Sequence, residues 1–342
     1  MESVTIKDIA RICGVGVSTV SRALNDHPDI NPETKEMIKR VIAEHHYIPN
    51  NSARNLKRME SNTIAVLMKG ITNPFFHGMI KVLEREVERK KYSFILQHVD
   101  EEADELTVAL ELEKEKKPCG IIFLGGAIGH TEAALKQLNT PFVLCTIGLG
   151  QGIEKSLYSS VSIDDVKEAQ EMVSYLIEMG HRRIAFVAAR EDDTAIGRMR
   201  LDGYRSALES HGIPFDEGLV LYPEKGDNPY TMENGYHVVK KFLESGKDAT
   251  AFFVVSDNTA FGVCKAVADM GKRVPQDYSV AGFDGIQMGD YYCPSLTTMK
   301  QPCDEMAKEA VEILFDLIEG RSGNRHRIFP AELVKRESVR RI

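Results

Sequence analysis

The first fifty residues place apolar side chains at the spacing of short amphipathic helices. Within residues 17–25, one side of a helix carries Val20, Ala23 and Leu24. The opposite side carries Val17, Ser18, Ser21, Arg22 and Asn25. This pattern predicts a helix with one face packed on its own domain and the other face free to contact a partner.

Two more helices are predicted around this one. Upstream, Thr5 and Asp8 have the form of a helix start, with a hydroxyl cap and a carboxylate three residues on. The segment Gly14-Val-Gly16 makes a sharp turn, and Asn31 followed by Pro32 starts a third helix. Two short helices joined by a glycine turn are typical of the helix-turn-helix, whose second helix lies in the major groove of DNA. A three-helix bundle that binds nothing is the alternative.

From residue 62 onward, short apolar runs alternate with helical patterns. The runs are residues 63–68, 93–97, 120–124, 142–145, 160–163, 183–188, 219–222, 251–255 and 279–283. Buried strands that alternate with helices form parallel sheets covered on both faces. A second round begins at residue 183, so we predict two doubly wound units. Such units place a ligand in the crevice at the carboxyl ends of their strands.

Composition and charge change this picture only slightly. The 342 residues, of which 43% are hydrophobic and 27% charged, suffice for more than one soluble domain. Residues 1–58 hold nine Lys and Arg against seven Asp and Glu, whereas the rest of the chain holds 34 against 44. The positive sign at the beginning suits phosphate binding, but the excess is small. Specific residues must therefore carry the functional argument.

Several function classes lack their sequence signals. There is no export signal and no stretch of eighteen apolar residues, which predicts a cytoplasmic protein without a membrane span. The six cysteines lie far apart without a Cys-x-x-Cys pair, so neither a zinc site nor a disulfide framework is indicated. No nucleophile elbow, Walker loop or zinc-protease helix is found. We expect neither an enzyme nor a resident cofactor or metal.

Four segments in the first part of the chain occur in a fixed order. They are Val4-Thr-Ile-Lys-Asp-Ile-Ala10, Ser18-Thr-Val-Ser-Arg-Ala-Leu-Asn25, Tyr47-Ile-Pro-Asn50, and Ala53 with Leu56. This set resembles the lactose/galactose repressor family (LacI/GalR). Shorter patches extend the resemblance over the chain, at residues 73–76, 180–184, 197–204, 256–257, 282–284 and 296–301. The resemblance implies a ligand-responsive transcriptional repressor that acts as a homodimer on double-stranded, pseudo-palindromic operator DNA.

The resemblance also implies a fold. A small all-α helix-turn-helix domain precedes an α/β core of the periplasmic-binding-protein type I fold, with two doubly wound subdomains and three chain crossings between them. The implied boundaries are 1–49 for the helix-turn-helix domain, 50–61 for the hinge helix and linker, 62–162 plus 294–323 for the amino-side subdomain, and 163–293 plus 324–342 for the carboxyl-side subdomain. The hinge is too short for a stable isolated helix, so we expect it to fold where two copies meet on DNA.

The resemblance assigns DNA contacts to twelve positions. They are Thr5, Val17, Ser18, Thr19, Ser21, Arg22, Asn25, Tyr47, Asn50, Ala53, Arg54 and Leu56. We expect Arg22, with Val17 and Ser18, to meet base edges. Leu56 is expected to wedge into the minor groove and kink the duplex.

Eight positions of the core are expected to bind the effector. They are Asn73, Phe75, Phe76, Thr146, Arg200, Tyr230, Asp257 and Asp284. An arginine with carboxylates suits hydroxyl recognition, so we expect a neutral sugar; a purine- or phosphoprotein-responsive regulator of the same family is the alternative. Arg200 is expected in the loop after the strand that ends at Ala188. Phe75 has the alternative role of closing the sheet edge, and Asp257 that of a helix cap.

Two departures from the family pattern affect the details. Gly16 stands where the family usually has a serine that caps the reading helix, and Ser256 replaces the commoner asparagine before Asp257. The second change leaves fewer hydrogen-bonding atoms near the pocket, so the identity of the sugar stays open. A solute-binding protein would share the core, but it would need an export signal in place of residues 1–58. A nucleotide-dependent enzyme would need a phosphate loop.

Overall fold

The computed structural model describes residues 5–24, 27, 29–45, 47, 62–128, 132–146, 148–149 and 153–342. The chain divides into two compact units, residues 1–61 and residues 62–342. Each unit buries apolar side chains in a core of its own.

The described part of the first unit contains three helices. They are α1 (Ile6–Ile12), α2 (Val17–Leu24) and α3 (Pro32–Glu44). Their apolar faces meet in a small core of Ile9, Ala10, Val20, Ala23 and Ile38. The predicted packed face of α2 is confirmed, because Val20 and Ala23 are fully buried and Leu24 packs at the edge of the core.

Local chemistry explains where these helices begin. Thr5 and Asp8 form a reciprocal capping box, in which Asp8 Oδ2 accepts from the Thr5 backbone N–H at 3.0 Å and Thr5 Oγ1 accepts from the Asp8 backbone N–H at 3.4 Å. Gly14 turns the chain with a φ of 64°, a conformation that a side chain disfavours. Asn31 Oδ1 accepts from the Glu33 backbone N–H at 2.9 Å. The structure confirms the predicted helix starts at Thr5 and Asn31.

Strands alternate with helices in the second unit. The strands are β1 (Thr63–Lys69), β2 (Ser93–Val99), β3 (Gly120–Leu124), β4 (Ala127–Ile128), β5 (Phe142–Cys145), β6 (Gly148–Leu149), β7 (Ser159–Ile163), β8 (Ile184–Val187), β9 (Val220–Leu221), β10 (Ala251–Val254), β11 (Ser279–Asp284), β12 (Thr297–Lys300), β13 (His326–Phe329) and β14 (Glu332–Val334). The helices are α4 (Phe75–Arg89), α5 (Glu105–Lys116), α6 (Glu132–Leu135), α7 (Asp165–Glu178), α8 (Ile196–Ser210), α9 (Met232–Glu244), α10 (Asp257–Asp269), α11 (Met288–Tyr291) and α12 (Cys303–Ile318).

The described strands form two six-stranded sheets and one small pair. The first sheet has the order β13-β7-β5-β3-β1-β2, and its neighbours all run parallel. The second has the order β14-β12-β11-β10-β8-β9 and is parallel except for the β12–β14 pair. The central strands are buried, as expected for sheets covered by helices on both faces.

The chain passes between the two sheets three times within the described residues. The first passage lies between β7 and β8, the second between β12 and β13, and the third between β13 and β14. The expected boundaries at residues 294 and 324 are therefore wrong for two strands. Strand β12 pairs with β11 in the second sheet, and β13 pairs with β7 in the first. An apolar run reveals a strand, but backbone pairing decides which sheet the strand joins.

Candidate functional site

Helix α2 presents one face to solvent. The exposed or half-exposed side chains on this face are Val17, Ser18, Thr19, Ser21 and Arg22. Val20 and Ala23, both 0% exposed, anchor the opposite face and thereby set the rotation of the helix. At the helix start, the Gly16 carbonyl accepts from the Thr19 and Val20 backbone N–H groups at 2.9 and 3.2 Å. An exposed face on the second helix is what the predicted contact with a DNA groove requires.

The other expected DNA contacts fall into two groups. Thr5 is occupied by the capping box of α1, and Tyr47 is half-buried against the core of the first unit. A DNA contact by either residue stays a prediction. The remaining positions lie outside the described residues; they are Asn25, Asn50, Ala53, Arg54 and Leu56.

A cavity of about 840 Å³ lies at the carboxyl ends of the strands in the second unit. Its walls come from segments that follow β1, β3 and β5 of the first sheet and β8 and β11 of the second. Seven of the eight expected effector residues line it: Asn73, Phe75, Phe76, Thr146, Arg200, Tyr230 and Asp284. The volume falls within the range of about 300–1,000 Å³ that is usual for small-molecule sites.

Arg200 lies at the centre of a buried group of charges. It belongs to α8 and not to the loop before it, which corrects the sequence prediction. Its guanidinium donates to Asp165 Oδ1 at 2.9 Å and to the Val255 carbonyl at 2.5 Å, and it lies 3.5 Å from Asp284 Oδ1. It also stacks 3.7 Å from the centre of the Phe283 ring. Arg200 therefore organises the carboxylates of the site before any ligand arrives.

Asp284 ends β11 with its carboxylate at the cavity. It is 3% exposed, and its φ of 121° is rare for any residue with a side chain. Oδ1 accepts from Gln301 Nε2 at 3.0 Å, and Oδ2 accepts from Asn73 Nδ2 at 3.3 Å, so the second contact crosses the cleft between the two sheets. Burial raises the pKa of Asp284 to about 7, although Arg200 acts in the opposite direction. A strained backbone and a carboxyl group with a raised pKa thus occur together at the cavity.

Phe75 and Phe76 form a wall of the cavity at the start of α4. Their ring centroids lie 5.2 Å apart in an edge-to-face arrangement, and Asn73 Oδ1 accepts from the Phe75 backbone N–H at 3.1 Å. A Cβ on Gly125 would meet the Phe76 ring at 2.6 Å, so only glycine allows this close packing. Phe75 is 6% exposed and Phe76 is 9% exposed. Both rings pack in the hydrophobic core and also line the cavity. For Phe75, the two alternatives from the sequence, closing the sheet edge and lining the effector site, are therefore compatible.

Thr146 and Tyr230 complete the expected set. Thr146 has a φ of 58°, a costly conformation for a β-branched residue, at about 1–3 kcal/mol. Its buried Oγ1 has no hydrogen-bond partner among the described residues. The strained backbone and the unpaired hydroxyl mark Thr146 as an unusual residue at the cavity wall. Tyr230 is half-buried, and burial raises the pKa of its phenol, which keeps that group a neutral donor.

Asp257 does not line the cavity, which is a correction to the sequence prediction. It is 0% exposed, and its Oδ2 accepts from the Gly285 and Ile286 backbone N–H groups at 2.8 and 2.9 Å. Its Oδ1 accepts from Thr298 Oγ1 at 2.6 Å. The alternative of a helix cap is also wrong, because Ser256 caps α10. Because Asp257 is fully buried and lies outside the cavity lining, we expect it to make no direct contact with an effector.

Three polar residues at the cavity were missed in the sequence. Asp165 holds Arg200, Gln301 donates to Asp284, and Asp193 lines the cavity with its Oδ1 accepting from a backbone N–H. Asp165 comes two residues after β7, and Gln301 directly follows β12. The rule that pointed to Asp284, a polar residue at the carboxyl end of a strand, would have found these two as well.

The lining of the cavity is acidic. Its described carboxylate side chains are Glu101, Asp164, Asp165, Asp192, Asp193, Asp202 and Asp284, and its basic side chains are Lys69, Lys155, Arg190 and Arg200. Lys69 already pairs with Glu105 at 3.5 Å, and Arg190 with Glu102 at 3.1 Å. Acidic side chains therefore outnumber basic ones in the lining, although burial raises the pKa of Asp165, Asp193 and Asp284 and so reduces their charge at neutral pH.

The described residues hold no group of three or more His, Cys, Asp and Glu side chains placed to bind a metal ion. No helix within the described ranges is long and apolar enough to cross a membrane.

Comparison with known proteins decides the family. Residues 5–50 match the bacterial regulatory proteins of the lacI family, and residues 173–339 match a periplasmic binding protein-like domain. The HTH-type transcriptional regulator MalR of Clostridium butyricum is 41% identical over 335 residues, which cover 97% of this chain and 98% of the relative. The chain belongs to the lacI family of bacterial regulatory proteins. This lacI-family member is thus a transcriptional regulator, and the relatives it matches are regulators of transcription and not enzymes.

Solved structures have the same fold as this lacI-family regulator. The transcriptional regulator CelR in complex with cellobiose is 28% identical, with a TM-score of 0.70 over 98% of this chain and 99% of that one. The lac repressor dimer bound to operator and an anti-inducer is 24% identical, with a TM-score of 0.78 over 99% of this chain and 100% of that one. The predicted fold class, a helix-turn-helix domain followed by an α/β core of two subdomains, is confirmed.

Proposed function

We propose that this regulator is a homodimeric repressor that binds pseudo-palindromic operator DNA and is controlled by a neutral sugar in the cleft between its two core subdomains. The observation that carries the proposal is the cavity at the strand ends. Thr146 and Asp284, two residues with a strained backbone, both line this cavity, and strain of this kind collects at ligand sites.

The DNA-binding half of the proposal rests on α2. Its exposed face carries Arg22, whose planar fork pairs with guanine O6 and N7 in the major groove. One such face reads one half-site, and a pseudo-palindromic operator has two half-sites related by a two-fold axis. A homodimer supplies two faces with that symmetry. The lac repressor, which has this fold, binds its operator as a dimer.

The choice of a neutral sugar rests on charge and hydrogen-bonding capacity. Carboxylates outnumber basic side chains in the lining, which disfavours sugar phosphates and nucleotides. Carboxylate oxygens accept hydrogen bonds, so Asp284 and Asp193, which line the cavity, suit the hydroxyls of a sugar. CelR, a relative with the same fold, binds cellobiose.

Contacts across the cleft are proposed to couple sugar binding to DNA binding. Asn73 meets Asp284, and two further contacts join the subdomains: Arg190 with Glu102 at 3.1 Å, and Asn228 with Glu101 at 3.1 Å. A sugar that replaces or bridges these contacts changes the angle between the subdomains. We propose that the hinge, residues 50–61, transmits this change to the operator. The coupling free energy is reciprocal, so operator and sugar alter each other's affinity by one factor.

We expect the Asp284→Asn variant to fold and to bind sugar more weakly than the wild type. Loss of a charge-assisted hydrogen bond costs about 1.5–3 kcal/mol, so affinity should fall roughly 10–100-fold. A thermal-shift panel of ribose, cellobiose, glucose 6-phosphate and hypoxanthine measures this, because a ligand at a hundred times its dissociation constant adds about 2.7 kcal/mol of stability. The wild type should respond to a neutral sugar and not to glucose 6-phosphate or hypoxanthine.

The surface variant Asp269→Asn is the control, and it should respond as the wild type does. An undiminished sugar response in Asp284→Asn would place the effector site elsewhere. A stronger response of the wild type to glucose 6-phosphate than to any neutral sugar would refute the charge argument.

The stability of the protein should depend on pH through Asp284. Its pKa is about 7 in the folded protein against an ordinary value of 3.8, so folding favours the protonated form. The stability from this group is fully present below about pH 4 and is lost as the pH rises toward 7, with a slope of at most about 1.4 kcal/mol per pH unit. Urea unfolding of wild type and Asp284→Asn from pH 4.5 to 7.5 measures the difference. A difference that does not change with pH would contradict the prediction.

A further inference from the structure

We propose that Asp257 and Thr298 are positioning residues of the effector site, which hold the turn after β11 so that Asp284 presents its carboxylate to the cleft. The inference rests on the proposed function, because it takes Asp284 as an effector-binding group. Asp257 and Thr298 are absent from the cavity lining, so they act through Asp284 and not by touching the sugar.

The Asp257 carboxylate ties three elements together. It projects from the first turn of α10, and its Oδ2 accepts from the Gly285 and Ile286 backbone N–H groups in the turn after β11. Its Oδ1 accepts from Thr298 Oγ1 on β12, and the same hydroxyl accepts from the Gly285 N–H at 3.3 Å. The turn is thereby held from two sides by side chains that are 0% exposed.

This turn needs such support because the backbone conformation of Asp284 is unfavourable, whereas glycine at position 285 tolerates a positive φ. Asp284 has a φ of 121° and Gly285 a φ of 78°. A Cβ on Gly285 would lie 2.6 Å from Lys300 Cα, and a Cβ on Gly282 would collide with Asp257 Oδ1. Strained conformations persist only where the surrounding structure imposes them. Asp257 and Thr298 supply that constraint directly beside the strained residue.

The direction of the Asp284 side chain follows from the turn. In the held conformation its carboxylate meets Asn73, Gln301 and Arg200, and it stands at the cavity. If the turn relaxes to a more favourable φ, the carboxylate leaves this position. Removing a contact by which Asp257 or Thr298 fixes the turn should therefore both weaken sugar binding and alter the titration of Asp284.

Neighbouring threonines on β12 provide a matched pair of variants. Thr298→Val removes the hydroxyl that binds Asp257 and keeps the shape of the side chain. Thr297→Val removes an equally buried hydroxyl, whose partners are the Arg336 N–H at 2.9 Å and the Arg336 carbonyl at 3.2 Å. Both variants lose buried hydrogen bonds, but only the first loosens the turn that carries Asp284.

The first test needs no ligand. The free energy of unfolding is measured from pH 4.5 to 7.5 for each background, once with Asp284 and once with Asp284→Asn. The difference between the two slopes against pH is the contribution of Asp284 in that background. The titratable and charged groups near Asp284 stay in every background and cancel in the difference: Arg200, Asp165, Asp257, Cys303 and Tyr230. We expect the contribution to be the same in the wild type and in Thr297→Val, and at most half as large in Thr298→Val.

The second test measures sugar affinity by calorimetry, with cellobiose as the probe. Thr298→Val should weaken binding about tenfold, which corresponds to one hydrogen bond to a charged group. The same substitution in an Asp284→Asn background should have no further effect, and Thr297→Val should bind as the wild type does.

The outcomes separate the positioning role from the proposed function. An unchanged pH contribution in Thr298→Val, or additive effects of Thr298→Val and Asp284→Asn, would overturn the positioning role. If cellobiose does not bind the wild type, the proposed function loses this sugar as its effector, and the pH contribution alone decides on Asp257 and Thr298.

Discussion

Replacing Arg22 by alanine is expected to remove most of the discrimination between operator and random DNA while leaving the fold intact. The side chain is exposed on α2 and takes no part in the core of the first unit. A bidentate contact to a base pair is worth about 1–3 kcal/mol, so specific binding should weaken roughly 10–100-fold per half-site. Non-specific binding should remain, because phosphate contacts position the protein and base contacts specify the sequence.

Anisotropy titrations with the protein's own upstream region and with a random duplex, at one salt concentration, measure this effect. Arg11→Ala is the matched control, since Arg11 is an exposed arginine of the same unit on α1. This substitution should weaken binding to both duplexes alike and leave the ratio of the two affinities unchanged. If Arg22→Ala discriminates as well as the wild type does, Arg22 is not a base reader.

Replacing Arg200 by alanine is expected to destabilise the core by about 3–5 kcal/mol, because it leaves buried carboxylates without their partner. Asp165 and Asp284 would both lose the guanidinium that lies between them. From the sequence alone, Arg200 appears only as an effector contact, whose removal would spare the fold. Its contacts with Asp165, the Val255 carbonyl and the Phe283 ring indicate a structural cost as well.

Urea unfolding at pH 7.5 measures the loss. Arg198→Ala, on the same helix but with an exposed ion pair to Asp202, should change stability by no more than about 1 kcal/mol. Burial raises the pKa of both Asp165 and Asp284, so the penalty in Arg200→Ala should shrink as the pH falls toward 5. A penalty below 1 kcal/mol, or one that grows in acid, would contradict this account of the cluster.

The solvent-exposed face of α2 was predictable from the sequence because helical periodicity is local. Val20 and Ala23 point to one side whatever the rest of the chain does, and this leaves Arg22 on the other side. The same holds for the capping residues Thr5 and Asn31, whose partners lie within three residues. Local chemistry is visible in a sequence, and the structure confirms it.

Contacts between distant residues were not predictable in this way. Asp257 and Asp284 look alike in the sequence, since each follows an apolar strand directly. The difference arises because Asp257 meets Gly285, 28 residues away, and Thr298, 41 residues away. Similarly, the sheet that β12 joins depends on its pairing with β11, which its own apolar pattern does not encode.

The most direct test of the central claim is a linkage measurement on the full chain. Operator affinity is measured without sugar and with a saturating amount of the neutral sugar that stabilises the wild type most. The affinity for that sugar is then measured with and without operator. We predict that both affinities change by one factor, between about 5-fold and 150-fold, because coupling between two sites is reciprocal. If the sugar binds but operator affinity stays unchanged, the cleft does not control the reading helix and the account is wrong.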